Sequence, residues 1–279
     1  MRILKQPLQR LLNTAGPRLA RSPAARDLFF HLARYFTPSL MAVAGSYRYH
    51  VSTAEGTDGR ELFLHGGLAA GDIGRIFSLL AQLGFRDFHG KYFLEIGANI
   101  GTTLIPILHE RGFSGAVAIE ADPSAFRLLR ANVAANAMAD RIHCVNAALS
   151  NRPDESGRLP AGDIPTATFD TLAARGVIPL ASLGAVWIGT QARAGHVLEG
   201  AQSLLGSGAP VVVTFCPYAL ARSGGLARFL RIACQHYAHF VDSRANTQTL
   251  GNAIQPIRRL PALAARYPSP ALTALLLLK

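Results

Sequence analysis

The chain has 279 residues, 49% hydrophobic and 16% charged, with 26 Gly and 16 Pro. These values exclude a disordered chain and suit one large α/β domain, or one domain with a small appendage. Cys144, Cys216 and Cys234 stand far apart with no CxxC pair, which excludes a disulfide framework, argues against structural zinc and makes a reducing, cytoplasmic setting the default expectation.

The net charge of +11 is concentrated at the two ends. Residues 1–45 carry Arg2, Lys5, Arg10, Arg18, Arg21, Arg26 and Arg34 against Asp27. Residues 219–279 carry eight basic groups against Asp242, while residues 46–218 hold 13 basic and 15 acidic groups. A nucleic-acid enzyme lines its binding face with Lys and Arg, so no nucleic-acid partner is expected here. Basic ends fit a membrane surface, an acidic partner or an anionic polymer. They also fit plain Arg-rich coding, since 25 of the 28 basic residues are Arg. No run reaches the ~18 apolar residues of a spanning helix, and the basic N-terminus lacks the apolar core of a signal peptide.

Residues 1–45 read as a basic helical extension, with 46–279 as the main domain. Ala25–Phe36 places Leu28, Phe29, Leu32 and Phe36 on one helical face. That face either packs on the main domain or lies in a membrane interface as a peripheral contact. Pro38 and Gly45 punctuate the end of the extension. A second amphipathic helix is expected over Ile73–Leu83. From Tyr92 onward, strands and helices alternate: YFLEI, a helix through TTLIPILHERG, AVAIE, a helix through SAFRLLRANVAANA, IHCVNA, AVWI, a helix over His196–Leu205, and PVVVTFC. Near-continuous apolar strands separated by helices predict a Rossmann-like α/β fold, a mostly parallel sheet covered on both faces. The terminal PALTALLLLK is a short apolar tail that either packs down or mediates association. Residues 237–279 otherwise read only as completing a sheet edge.

The first strand runs into Glu95-Ile96-Gly97-Ala98-Asn99-Ile100-Gly101. A dinucleotide loop is G-x-G-x-x-G and seats a pyrophosphate on a helix N-terminus. Here the loop is G-x-x-x-G with an acid two residues before it, which repels a pyrophosphate and attracts an ammonium. S-adenosylmethionine has an ammonium, a sulfonium and no phosphate. The second strand ends in Glu120, where an acid can accept both ribose hydroxyls. Asp122-Pro123 is a helix start with Asp as cap.

FLEIGANIGTT, AIEADPSAFRLLRANVAANAMADRIHCVNAALS, TATFDTL and GHVLEGAQSLL, in that order, resemble the FkbM family of S-adenosylmethionine-dependent methyltransferases over residues 90–218. The resemblance implies a class I methyltransferase fold. It also implies O-methylation of a small-molecule or glycan acceptor, such as a hydroxyl on a sugar, polysaccharide or secondary metabolite. It places Glu95, Gly97, Ala98, Asn99 and Gly101 in the first cofactor motif, Glu120 and Asp122 on the ribose and adenine side, and Asn146 and Ala147 beside the adenine.

The sequence departs from the family in the fourth and fifth strands. Gly189 stands where the family has Asp, Ala192 where it has Gly, and Ala194 and Thr214 where it has Glu. Gly, Ala and Thr neither take a proton at neutral pH nor cage a hard cation, so no metal is expected and no catalytic residue is assigned. His196 is the nearest remaining titratable group and reads equally as a structural cap. Arg193 is expected to point to solvent. The alternative to an enzyme is a degenerate relative that keeps the cofactor pocket and serves as a binding or scaffold module. The oligomeric state is not legible.

Overall fold

The computed structural model describes residues 22–54, 58–66, 70–152, 164–245, 250–267 and 271–279. Arg2, Lys5, Arg10, Arg18 and Arg21 lie outside the described residues. The chain forms two compact units, Met1–Leu68 and Ala69–Lys279. Gly45, with φ +59°, turns a hairpin between β1 (Ser39–Ala44) and β2 (Tyr47–Ser52).

In the first unit, α1 (Pro23–Ala33) starts at Ser22, whose Oγ accepts the Ala25 N–H, with Pro in its first turn. Ala42, Ala44, Tyr47, Tyr49 and Val51 form the buried face of the hairpin, as the two-residue period requires. α2 (Asp58–His65) contacts both strands and α1. The face of α1 that packs is not the one the spacing suggested. Phe30 and Ala33 are buried, with Phe30 against Phe63 at 5.5 Å between ring centroids, while Leu28, Phe29, Leu32 and Phe36 are exposed.

The second unit begins with α3 (Ala70–Gln82), whose Ile73, Ile76, Phe77 and Leu80 are buried as expected. Then come β3 (Tyr92–Ile96), α4 (Leu104–Glu110), β4 (Gly115–Glu120), α5 (Pro123–Ala135), β5 (Ile142–Asn146) and a minor pair, β6 (Ala148–Leu149) with β7 (Thr166–Ala167). They are followed by α6 (Phe169–Ala174), β8 (Leu183–Ile188), α7 (Ala194–Glu199), α8 (Gln202–Ser207), β9 (Val211–Phe215), α9 (Pro217–Arg222) and α10 (Leu226–His236). Last come β10 (His239–Asp242), α11 (Leu250–Ala253), β11 (Ile254–Pro256), α12 (Leu260–Ala265) and β12 (Thr273–Leu278).

The main sheet has the order β11-β10-β12-β9-β8-β3-β4-β5. Strands β5, β4, β3, β8 and β9 are parallel, which is the doubly wound α/β arrangement expected. Every residue of β4 and β8 is buried, as a sheet covered on both faces demands. The apolar tail is neither free nor a loose cover. It is β12, inserted antiparallel between β9 and β10 with Leu275, Leu276 and Leu277 buried. The chain winds from β3 toward β5, then returns to β8 on the other side of β3, so the order reverses between β3 and β8. Ligands of such sheets bind at the carboxyl ends of the strands at that reversal.

The single helix expected over His196–Leu205 is broken at Gly200-Ala201 into α7 and α8. The backbone of Gly200 lies so close to the Ser150 carbonyl that a Cβ would collide with it. Asp170 of α6 then caps α8, accepting the N–H groups of Gln202 and Ser203 at 2.9 Å. Among the described residues, no helix is long and apolar enough to cross a membrane.

Candidate active site

The loop after β3 is built from backbone. The N–H groups of Gly97 and Ala98 both donate to the Ile119 carbonyl, at 2.8 and 3.0 Å. Gly97 has φ +82°, and a Cβ there would lie 2.7 Å from Thr190 Cγ2 and 3.0 Å from Thr190 N, so only glycine fits. Asn99 takes a left-handed conformation, φ +48°, which its short polar side chain tolerates. A Cβ on Gly101, which has φ +89°, would sit 3.0 Å from Leu129 Cδ1 and 3.1 Å from Ile105 Cδ1, so helix packing also favours glycine here. Asn132 of α5, fully buried, donates to the Ile100 carbonyl at 2.9 Å and clamps the loop from the side.

Two glutamates flank the loop. Glu95 is only 3% exposed. Burial pushes its carboxyl well above the usual range; hydrogen bonds from the Thr103 side chain and the Leu104 N–H pull the other way, and the neighbouring Glu120 charge adds to the rise. Its Oε2 is buried with no hydrogen-bond partner. Glu120, 9% exposed, accepts the Asn99 N–H on Oε2 and the Asp122 N–H on Oε1, both at 2.7 Å. Burial raises its carboxyl too, against the pull of those bonds. Each Glu120 oxygen keeps a lone pair for a further donor.

The remaining expected cofactor residues hold the frame. Asp122 caps α5, accepting the Ala125 N–H at 2.7 Å. The Asn146 amide donates to the carbonyls of Glu120 (2.8 Å) and Ala121 (3.1 Å), which uses both of its N–H groups. The Ala147 N–H donates to the Glu120 carbonyl at 3.2 Å. Asn146 and Ala147 therefore fix the turn that carries Glu120.

The ends of β8 and β9 are of a different character. The Gly189 N–H donates to the Ile96 carbonyl at 2.7 Å, and a Cβ on Gly189 would lie 2.9 Å from the Gly97 carbonyl oxygen. Thr190 Oγ1 is buried and has no hydrogen-bond partner. Ala194 is fully buried in the apolar core that also holds Val197 and Phe229, so a carboxylate there would enter the core. Thr214 accepts the Trp187 indole N–H at 3.0 Å. His196 lies beside the start of α10, 3.3 Å from where a Gly225 Cβ would be. Arg193 does not point freely to solvent; it donates to Ser150 Oγ at 3.2 Å. Glu199 accepts from Asn151 at 2.9 Å and pairs with Arg231 at 2.7 Å, tying the loop after β6 to α7 and α10.

The site thus offers one uncommitted buried carboxylate oxygen next to a glycine, and one carboxylate with two open lone pairs across a residue in the left-handed conformation. That set fits a ligand carrying a cation and a vicinal diol. Sequence reasoning found both acids. It missed Thr190, Asn132 and the Trp187–Thr214 pair, for which no local pattern exists.

No family model and no curated protein matches the chain. Among solved structures, it is similar to Pyrococcus horikoshii TYW2 in complex with MeSAdo, at 16% identity and TM-score 0.45, over 86% of this chain and 70% of that one. It is similar to geranyl diphosphate methyltransferase in complex with SAM, at 12% identity and TM-score 0.46, over 84% and 97%. It is also similar to the O-methyltransferase from Bacillus cereus in complex with SAH, at 14% identity and TM-score 0.42, over 74% and 80%. At these identities and scores the likenesses are distant.

Proposed function

We propose that this chain is an S-adenosylmethionine-dependent methyltransferase. The observation that carries the reading is the pair of carboxylates around the Gly97 loop, above all the unpartnered Oε2 of Glu95. Leaving one buried carboxylate oxygen without a partner is costly, and an ammonium delivered by the ligand removes that cost. Glu95 would hold the amino-acid ammonium, and Glu120 the two ribose hydroxyls. Gly97 and Ala98 let the ligand approach the backbone, and Asn99, Asp122, Asn146 and Ala147 keep Glu120 in place. The cofactor would supply a methyl group on a sulfonium, a good leaving group for attack by a nucleophile.

The finer reading is O-methylation of a hydroxyl on a sugar or a small metabolite, which the FkbM-like motifs support. No acid at the ends of β8 and β9 is placed to take the hydroxyl proton. That observation favours a second reading, a module that binds the cofactor without turnover.

Calorimetric titration of the full chain with S-adenosylhomocysteine tests the shared premise. Micromolar binding is expected, and no binding by a folded sample overturns both readings. Incubation with methyl-labelled cofactor and extracts of glycans and small metabolites then separates them. Label transfer supports the enzyme; tight binding with no transfer supports the module.

A further inference from the structure

Seven of the ten exposed large apolar side chains among the described residues fall between residues 28 and 43. Five of them, Leu28, Phe29, Leu32, Tyr35 and Phe36, follow the spacing of a single helical stripe, with exposures from 40% at Phe29 to 81% at Phe36. The helical path carries past α1, since the N–H groups of Phe36 and Thr37 still donate to the Ala33 carbonyl at 2.8 and 2.9 Å. Leu28, Leu32, Tyr35 and Phe36 are held outward because the other side of α1 is fastened to α2, with Phe29 at the border stacked on Phe63 at 6.2 Å between ring centroids. Phe30 packs on Phe63, Arg26 donates to the Phe63 carbonyl, and Asp27 pairs with Arg60 at 2.7 Å. The hairpin adds exposed Met41 and Val43, which alternate with buried Ala42 and Ala44.

Scattered exposed apolar residues are ordinary, but a continuous stripe of this size marks an interaction surface. Charge identifies the partner. Residues 1–45 hold seven basic groups against the single acid Asp27, and Arg60 already occupies that carboxylate. A second copy would bring the same excess of positive charge against the first. At the end of the stripe the Arg34 guanidinium lies over the Tyr35 ring, 4.9 Å from its centroid, and donates to the Tyr35 hydroxyl at 3.0 Å. A cation paired with an aromatic ring in this way suits the level of lipid headgroups.

We propose that the unit Met1–Leu68 docks on an anionic lipid bilayer. In that arrangement α1 lies in the interface plane, with Leu28, Leu32 and Phe36 at the acyl boundary and Arg34 at the headgroups. The proposal does not rest on the methyltransferase reading.

Flotation of the full chain with phosphatidylcholine vesicles, with and without phosphatidylglycerol, tests it. The protein is expected to float with the anionic vesicles, less so at high salt, and not with phosphatidylcholine alone. The double variant Leu32→Gln, Phe36→Gln removes two exposed side chains, so its melting curve should match the parent while its vesicle affinity falls about tenfold or more. Three results overturn the proposal. The parent fails to float with anionic vesicles; the double variant floats as well as the parent, which moves the contact to another basic surface; or sedimentation velocity shows a parent dimer that the double variant dissolves, which assigns the stripe to a second copy.

Discussion

The carboxyl edge of the central sheet has two halves of opposite character. At the ends of β3 and β4, Glu95 and Glu120 are held buried, and burial raises both carboxyls. At the ends of β8 and β9, the corresponding positions are Gly189, Ala194 and Thr214, and each is absorbed into packing or a local hydrogen bond. Buried acids weaken a fold unless a ligand repays them, whereas close-packed glycine and alanine strengthen it. One half is therefore kept at the expense of stability and the other is arranged for it. At the ends of β8 and β9 the sequence brings no carboxylate.

Substitutions can break that division. The largest effect is expected at Gly97, where the halves touch. Gly97→Val puts a Cβ against Thr190 and forces a branched side chain to φ +82°. Binding of S-adenosylhomocysteine should be lost outright and the melting temperature should drop; retained affinity would place the ligand elsewhere. Glu120→Ala removes charged hydrogen bonds to a diol, at about 1.5–3 kcal/mol, so calorimetry should show roughly 10- to 150-fold weaker binding. Gly189→Asp, which introduces the acid of the FkbM pattern, meets the Gly97 carbonyl at 2.9 Å. Denaturant unfolding should show a loss of about 1–3 kcal/mol with no gain in turnover. A stable and newly active Gly189→Asp protein would show that the acceptor half is open after all. Thr214→Val leaves the Trp187 indole N–H without its acceptor and should cost about 1–2 kcal/mol of stability, with affinity for S-adenosylhomocysteine unchanged.

The β3–β4 half was legible because its signals are local. An acid closing an apolar strand, two residues before a glycine, is unusual enough to mark Glu95, and the same reasoning located Glu120. Strands β3, β4, β5 and β9 fall within a residue of their apolar runs, and β8 begins two residues before its run. The acceptor half was not legible, because the approach of Gly189 to Gly97 is a property of two strands brought together across about 90 residues of chain. TALLLL likewise has no period of its own. It becomes a strand only because β9 and β10 leave a gap for it. Gly45 and the Gly200-Ala201 break show the same limit: Gly45 announces a turn without its partner strand, and the helical pattern over His196–Leu205 gives no sign of the Ser150 carbonyl that meets Gly200.

Glu95 allows the finest test, because stability and binding should depend on pH in opposite directions. Its carboxyl is raised in the folded chain, so the folded state holds the proton more tightly than the unfolded state does. The resulting stability is fully present below the ordinary carboxylate range and is lost as pH rises through the raised folded value. The melting temperature of the ligand-free protein should therefore fall across that window. Glu120 contributes with the same sign through its own raised carboxyl. Glu95→Gln should raise the melting temperature at neutral pH and flatten the slope. Cofactor affinity should run the other way, rising with pH as Glu95 becomes the carboxylate that pairs with the ammonium. In Glu95→Gln that rise should largely vanish, with affinity at neutral pH lower by about tenfold, the loss of one charge-assisted bond. If the variant is stabilised but binds S-adenosylhomocysteine as the parent does, Glu95 is a buried acid with no part in the pocket. The cation would then have to sit against Glu120, the other carboxylate beside the loop.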